Sequence, residues 1–254
     1  MTDRPAAPDL CVVVGATGSF GRAVTERLVG RGQRVLGVGR NAEGLAALAA
    51  QVPGVTPCVA DIADDTATET IRAALDGPVR MAVFAAGLPI AGSVETVAPG
   101  DLARGADIKL GGLLRLVRAV DARLVPGSRL VMFAGSLGFE PKPSSAGPGA
   151  INAAVFNLMR QLGDVYGPRG VTTHTLSPGP ADTPRLHALV ERAAAERGIT
   201  VEEQWASYAA GTSLGRLPTP DQIAWAVAVL LDPEADVLHG GVLHLDAGGH
   251  RSIH

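Results

Sequence analysis

Seven short apolar runs alternate with stretches of helical periodicity, and this alternation constrains the fold more than any other feature of the chain. The first run, LCVVVG, is rich in valine and apolar on both faces, as in a buried parallel strand. The predicted strands span residues 10–15, 34–39, 55–60, 81–87, 129–135, 171–176 and 241–246. The predicted helices span residues 20–29, 43–51, 64–75, 101–124, 184–197 and 220–231, and a further helix begins within 141–162 and ends near residue 167.

Strands separated by helices of this length need crossover connections, which are right-handed and place helices on both faces of a parallel sheet. The sequence therefore predicts an α/β fold: a doubly wound parallel sheet (Rossmann fold) of about seven strands. The 254 residues suffice for one large core, and no linker or internal repeat divides them. We expect a single domain over residues 1–254, in which residues 182–217 form a lid over the substrate.

Charge and hydropathy argue against several classes of protein. The net charge is −3 with no block of like charges, which argues against a nucleic-acid partner. No apolar run reaches the roughly 18 residues that a membrane span needs, and residues 1–10 lack the basic and apolar regions of a signal peptide. We therefore expect a cytoplasmic protein with no membrane partner.

Cysteine and histidine usage predicts neither disulfides nor a metal site. Cys11 and Cys58 fall in predicted strands and show no partner pattern, so both are expected to be buried thiols in a reducing compartment. The histidines are scattered along the chain without the spacing of paired metal ligands.

The first predicted strand runs into a glycine-rich turn, GATGSFG, at the start of the first helix. Glycine lets the backbone approach a pyrophosphate, and the free N–H groups at a helix N-terminus bind the anion. A simple strand–helix turn would also use glycine, but its place at the front of a doubly wound chain favours a dinucleotide. The predicted contacts are Gly15, Thr17, Gly18, Ser19, Phe20 and Gly21.

The residue after the second predicted strand indicates which dinucleotide binds. An NAD site usually has an acidic side chain here, which accepts hydrogen bonds from the ribose 2′-hydroxyl. This chain has Arg40, whose guanidinium can pair with a 2′-phosphate. Arg22 is a second candidate contact, and a solvated loop arginine is the alternative interpretation of Arg40. We expect NADP(H) to be preferred over NAD(H).

Four further motifs follow in order: VADI after the third predicted strand, AAG after the fourth, SPGPADTP after the sixth and LDAGG near the end. With the glycine turn, they make the chain resemble the short-chain dehydrogenase/reductase family over almost its whole length. The resemblance implies cofactor contacts from Asp61 and Ile62 near the adenine, from Ala85, Ala86 and Gly87, and from Pro178, Gly179 and Thr183 near the nicotinamide end. It also implies a small-molecule substrate and a homodimer or homotetramer, in which the two longest helices pack against their symmetry mates.

The same resemblance implies a catalytic set that this chain lacks. In the family, a serine after the fifth strand orients the substrate carbonyl, a tyrosine about 13 residues later exchanges the proton, and a lysine one turn further lowers the pKa of the tyrosine. Alignment of AGSLG with the serine segment places Gly135 at the serine, Ser136 one residue late, Pro148 at the tyrosine and Asn152 at the lysine. Proline has no proton to exchange, so the standard mechanism does not fit this chain.

Two residues remain as catalytic candidates. Ser136 could hydrogen-bond a substrate, and Asn152 could take over the ribose hydrogen bonds of the family lysine without its charge. The family also has an asparagine in the long helix before the fifth strand, which supports a proton-relay water. In this chain it maps to Asp107 or Ile108, depending on register.

Other polar residues are assigned less chemistry. Lys109 lies in the long helix and is expected to be solvated, and His174 is expected to be a structural histidine in the sixth strand. His187 in the lid and Lys142 in the preceding loop could each reach a substrate, and the sequence does not decide between them. Neither of the two tyrosines fits the family position.

Three functions are compatible with these features. The first is an atypical NADP(H)-dependent oxidoreductase that acts on a small carbonyl, imine or enone without the tyrosine–lysine pair. The second is a redox-neutral enzyme on the same scaffold, such as a cyclase, dehydratase or isomerase. The third is a non-catalytic dinucleotide-binding sensor or partner protein. The glycine turn and Arg40 favour the first, and the fold alone does not choose among them.

Overall fold

The computed structural model describes residues 9–251. Residues 1–8 and 252–254 of the predicted domain lie outside the described residues, and so does most of the 1–10 segment that is expected not to be a signal peptide. Its strands are β1 (Leu10–Val14), β2 (Arg34–Gly39), β3 (Val55–Val59), β4 (Val79–Phe84), β5 (Leu124–Phe133), β6 (Thr172–Pro178) and β7 (Val242–Leu245). Its α-helices are α1 (Ser19–Gly30), α2 (Ala42–Gln51), α3 (Ala67–Ala73), α4 (Pro99–Ala106), α5 (Gly112–Val120), α6 (Ala146–Tyr166), α7 (Pro184–Arg197), α8 (Val201–Ala209) and α9 (Pro220–Val229). A π-helical turn, Asp107–Gly111, joins α4 to α5.

The seven strands of the described chain form one parallel sheet in the order β3-β2-β1-β4-β5-β6-β7. The chain runs outward from β1 to β3 and then crosses back to β4 on the other side of β1. This arrangement confirms the predicted doubly wound α/β fold. The reversal leaves a crevice beyond the carboxyl ends of β1 and β4, which is where ligands bind in open parallel sheets.

The sheet is covered on both faces, as alternate residues of β1 illustrate. Val12 and Val14 pack into the layer that holds α3, α5 and α6, whereas Cys11 and Val13 pack into the layer that holds α1, α2 and α9. Each such fully buried side chain contributes about 1.5–3 kcal/mol. Cys11 and Cys58 are buried free thiols as expected, and burial raises the pKa of Cys11 to about 12, so this thiol stays protonated.

The largest departures from the predicted elements lie in the long helix and in the lid. The helix predicted over 101–124 contains the π-helical turn and ends at Val120, because β5 begins at Leu124 and pairs there with Val79. In the lid segment, α7 has the predicted bounds, but α8 is absent from the sequence-based prediction. Thr200 and Glu203 exchange hydrogen bonds in a capping box that begins α8.

Candidate active site

The glycine turn after β1 lies at the crevice and needs glycine at two positions. Gly15 has a φ of +81°, and a Cβ atom there would lie 2.8 Å from the backbone of Ala86. A Cβ atom on Gly21 would lie 2.0 Å from the carbonyl oxygen of Gly15. The turn is therefore packed tightly beneath the start of α1 and beside the residues that follow β4.

The start of α1 has backbone N–H groups that no side chain satisfies. Gly18 is the N-cap residue and offers no side-chain acceptor, while its own N–H donates to the carbonyl of Gly15 at 3.0 Å. The first turn of α1 contains no acidic residue. The N–H groups at Ser19 and Phe20 therefore fit the pyrophosphate of a dinucleotide, which the positive end of the helix dipole also favours.

Arg40 follows β2 at the same edge of the sheet, and its side chain is 75% exposed. Its guanidinium lies 3.8 Å from the carboxylate of Asp61, which also accepts a hydrogen bond from the N–H of Ala63. A contact of this length between exposed groups is weak, so Arg40 is available to a phosphate. Arg22, in contrast, is engaged by hydrogen bonds to Glu26 and Gln51.

A cavity of about 730 Å³ continues from the crevice, along the carboxyl ends of β4, β5 and β6, to the lid. Nine residues predicted from the sequence line it: Phe20, Ala85, Ala86, Gly87, Ser136, Pro148, Asn152, Pro178 and Gly179. Thr183 does not line it and instead caps α7, where its hydroxyl accepts the N–H of Leu186 at 3.3 Å. The tertiary structure thus brings together residues from five separate parts of the sequence.

The start of α6 occupies one wall of this cavity. Pro148 lies in the first turn of α6, where a missing N–H leaves no hydrogen bond broken. Ser145 is the N-cap residue, but its side chain makes no capping hydrogen bond. Asn152, one turn further, is 7% exposed, and its amide has no hydrogen-bond partner within residues 9–251. Buried amides are normally paired, so Asn152 fits a ligand that offers hydroxyl groups.

Lys109 also lines the cavity, and the expectation that it is solvated is wrong. Its side chain is 5% exposed, and its ammonium donates to the carbonyl oxygen of Phe133 at 2.9 Å. The ammonium also lies 5.6 Å from the centre of the Phe84 ring. Burial, and to a lesser extent the nearby Arg185, lowers the pKa of Lys109 from 10.5 to about 8.

The π-helical turn decides which residue of the long helix reaches the cavity. Asp107 was one of two positions expected to face it, but its carboxylate is paired with Arg115 at 2.9 Å on the outer side of the helix. Ile108, the other position, does not line the cavity either, and the next residue, Lys109, does. The extra residue in a π-helical turn rotates the side chains relative to a regular α-helix, which periodicity in the sequence does not reveal.

The lid contributes the far wall of the cavity through α7 and α8. Arg185 at the start of α7 donates to the carbonyl oxygen of Leu88 at 3.1 Å and so ties the lid to the segment after β4. The other lining residues from α7 and α8 are Leu186, Leu189, Gln204, Ser207 and Tyr208. Lys142 lies among the lining residues too.

Three other titratable residues lie outside the cavity. His187 pairs with Asp182 at 2.7 Å and stacks on Trp205, so it braces the lid. His174 is fully buried in β6, as expected for a structural histidine. Tyr166 at the end of α6 donates to Asp121 at 2.9 Å, and burial raises its pKa to about 12.

The part of the chain that the structure describes holds no group of three or more histidine, cysteine, aspartate or glutamate side chains placed to bind a metal ion. None of its helices combines the length and apolarity that a bilayer crossing requires.

Comparisons with known proteins agree with the fold. A family model described as enoyl-(acyl carrier protein) reductase matches residues 15–250. The short-chain reductase protein NovJ of Streptomyces niveus is 27% identical over 248 residues, which cover 94% of this chain and 93% of NovJ. The 3-oxoacyl-[acyl-carrier-protein] reductase FabG of Salmonella typhimurium is 27% identical over 246 residues, which cover 94% of this chain and 96% of FabG. A crystal structure of an actinorhodin polyketide ketoreductase variant with NADPH has the same fold, with a TM-score of 0.88 at 23% identity over 95% of this chain and 97% of the other.

Proposed function

The chain belongs to the short-chain dehydrogenase/reductase family, and from this premise we propose that it is an NADP(H)-dependent oxidoreductase. Its substrate is a small organic carbonyl, imine or enone, and the reaction proceeds without the tyrosine–lysine pair of the family. The observation that carries the proposal is that the glycine turn, Arg40 and the cavity lined by Asn152 lie at the same edge of the sheet. The reductase names of NovJ and FabG and the NADPH of the ketoreductase complex support it.

Each part of the edge has a role that its chemistry suits. The start of α1 holds the pyrophosphate, and Arg40 pairs with the 2′-phosphate that distinguishes NADP(H) from NAD(H). Asn152 offers its unpaired amide to the nicotinamide ribose, and Ser136 offers its hydroxyl to the substrate. The bound cofactor supplies a hydride donor, and the lid excludes water from the reacting end.

A redox-neutral reaction on the same scaffold is the second candidate function, and Pro148 is the observation that favours it. A positioned acid or base contributes about 10²–10⁴ in rate, and Pro148 stands where the family keeps that group. A non-catalytic dinucleotide-binding role is favoured by the same residue. Turnover of carbonyl substrates separates these two functions from the first.

The cofactor preference is tested by titration with NADPH and NADH, followed by the fluorescence of the reduced cofactor. We expect the wild-type protein to bind NADPH more tightly than NADH. Arg40→Asp should weaken NADPH binding about 10–100-fold, because a charge-assisted hydrogen bond to phosphate contributes about 1.5–3 kcal/mol. NADH binding should change only a few-fold, because NADH has no 2′-phosphate.

Arg22→Ala is the matched control for Arg40→Asp, because Arg22 is engaged by Glu26 and Gln51, and it should leave both affinities unchanged. Failure of the wild-type protein to bind either cofactor would exclude the proposed function. Binding of NADPH without turnover over a panel of ketones, imines and enones would favour the redox-neutral or non-catalytic functions instead.

A further inference from the structure

The chain contains only two lysines among its 22 lysine and arginine residues, and both line the same cavity. The other residues of this lysine and arginine set are all arginine, which stays protonated at any pH that a folded protein tolerates. Lysine differs from arginine in that burial can bring its pKa near neutrality. The two lysine ammonium groups, whose pKa values burial could bring near neutrality, therefore both line this cavity.

The structure holds the Lys109 side chain in one orientation. It projects from the π-helical turn, in which the N–H of Gly112 donates to the carbonyl of Asp107 five residues back. The ammonium donates to the carbonyl oxygen of Phe133 at the end of β5, and Phe84 at the end of β4 lies beneath it. Lys142, by comparison, is exposed in the loop before α6. Lys109 is thus the preorganised member of the pair.

No carboxylate pairs with Lys109 among the described residues. Arg185 from α7 is the cation that acts on it, and Asp107 on its own helix is turned away toward Arg115. The remaining titratable groups that line the cavity are Glu140, Lys142, Tyr208, Asp246 and His250. The carboxylate of Asp246 is occupied by the backbone N–H groups of residues 248–250. An ammonium without a counter-ion loses its proton more readily than a paired one.

Compared with the family, Lys109 and Asn152 have their residue types exchanged between the long helix and α6. The resembled family has its asparagine in the long helix and its lysine in α6, whereas here the long-helix residue in the cavity is Lys109 and the α6 residue is Asn152. Both side chains are buried, and both face the same space. The long helix and α6 therefore still place one ammonium and one amide on the cavity wall, with the two residue types interchanged between the helices.

We propose that Lys109 is the catalytic proton donor of this protein and acts in place of the side chain that Pro148 cannot supply. This inference rests on the proposed function. The substrate carbonyl carbon gains a hydride and its electron pair from NADPH, which is oxidised. The carbonyl oxygen gains the proton of the Lys109 ammonium, whose N–H bond breaks. The resulting neutral amine takes a proton from water before the next turnover, and Asn152 holds the ribose hydroxyls.

Three single substitutions test the assignment by kinetics. Lys109→Met removes the proton and should lower kcat about 10²–10⁴-fold, the usual contribution of a positioned acid. Lys109→Arg keeps the charge but holds its proton, so it should lose kcat by a similar factor while NADPH binding persists. Arg104→Met is the matched control, because Arg104 is exposed on α4, pairs with Asp101 and does not line the cavity, and it should keep kcat within a few-fold. Full activity in Lys109→Arg would overturn proton donation, because charge alone would then suffice.

A second measurement follows the protonation of Lys109 by NMR and needs no turnover. Protein grown with lysine that is ¹³C-labelled at Cε should give two resonances, one for each lysine, and Lys109→Met assigns them. We expect the Lys109 resonance to titrate near pH 8 and to shift when NADPH is added. A titration at the ordinary value of lysine with no response to NADPH would overturn the proposal. Thermal unfolding of Lys109→Met shows whether that variant is folded.

The outcomes distinguish a failure of this inference from a failure of the proposed function. If neither NADPH nor NADH binds, the oxidoreductase proposal fails first, and the ¹³C titration still reports the state of Lys109. If NADPH binds and the wild-type protein reduces a substrate, but Lys109→Met is as active, only the role of Lys109 fails. If NADPH binds and no substrate is reduced, both fail.

Discussion

Burial controls the protonation of the two basic side chains that the sequence treats as ordinary, Lys109 and His174. Lys109 faces a cavity, whereas His174 is enclosed by β6 and its neighbours. The shifted pKa of each residue therefore affects a different property of the protein. A lysine that titrates near neutrality is suited to exchange protons with a ligand. A histidine that titrates far below its usual value is kept neutral and affects only stability.

His174 should make the protein less stable in acid. Its pKa is lowered from 6.5 to about 4, mainly by burial, and its Nε2 atom lies 2.7 Å from the hydroxyl of Thr172. Between these pH values the unfolded chain binds a proton that the folded chain does not, so stability falls as pH falls through this window. The loss should be roughly 3 kcal/mol.

Urea unfolding at pH 7 and pH 4.5 measures this loss of stability in acid. His174→Gln should reduce the difference between the two free energies of unfolding, because glutamine does not titrate. An equal difference in the wild-type protein and in His174→Gln would show that other groups cause the acid sensitivity.

At the level of elements, the turn between β1 and α1 depends on contact between two backbone segments. The Cβ atom of an alanine at position 21 would meet the carbonyl oxygen of Gly15, which cannot move without opening the turn. The same atom at position 18 would lie 3.4 Å from that oxygen, an ordinary contact distance. The two glycines are thus required to different degrees, although the sequence pattern presents them alike.

Gly21→Ala should destabilise the protein by about 1–3 kcal/mol, the usual effect of overpacking, and should abolish NADPH binding. Gly18→Ala is the matched control for stability, and its thermal midpoint should stay near that of the wild-type protein. Thermal unfolding and NADPH titration of both variants measure the effects. Equal thermal midpoints for the two variants would contradict the packing argument.

At the level of the whole molecule, the homodimer or homotetramer implied by the family resemblance stays a prediction. It was expected to bury the two longest helices. The described chain also leaves apolar side chains exposed elsewhere, including Trp225 in α9 at 59% and Leu214 at 62%. Neighbouring apolar residues at the surface often mark an interface.

Light scattering at several protein concentrations measures the assembly. We expect a mass of two or four chains, because α6, α9 and the segment before β7 all have exposed apolar side chains that a second copy could cover. Trp225→Glu should lower that mass if α9 is in the interface, and Val165→Glu, on the exposed side of α6, should lower it if α6 is. A monomer mass at every concentration would contradict the prediction.

Much of the architecture could be predicted because its signals are local. The apolar strands, the glycine turn and α7 follow from periodicity and turn residues, since strand burial and helix starts leave their pattern in neighbouring positions. The π-helical turn does not follow from these signals, because it breaks the helical period. For α8 the capping box of Thr200 and Glu203 is a local signal, although the sequence-based prediction does not include this helix. The scarcity of lysine in the chain is a sequence signal that singles out Lys109.

The sequence by itself determined the α/β class, the order of the motifs, and the lack of an exchangeable side-chain proton at Pro148. Only the tertiary structure decided which side chain faces the cavity beside it. The orientation of that side chain depends on how β4, β5 and the long helix pack, and these segments are far apart in the chain. The sequence placed Lys109 in solvent, whereas the packed structure encloses it beside Phe84 and Phe133. Burial then shifts its pKa, because the charged form loses water that no carboxylate replaces.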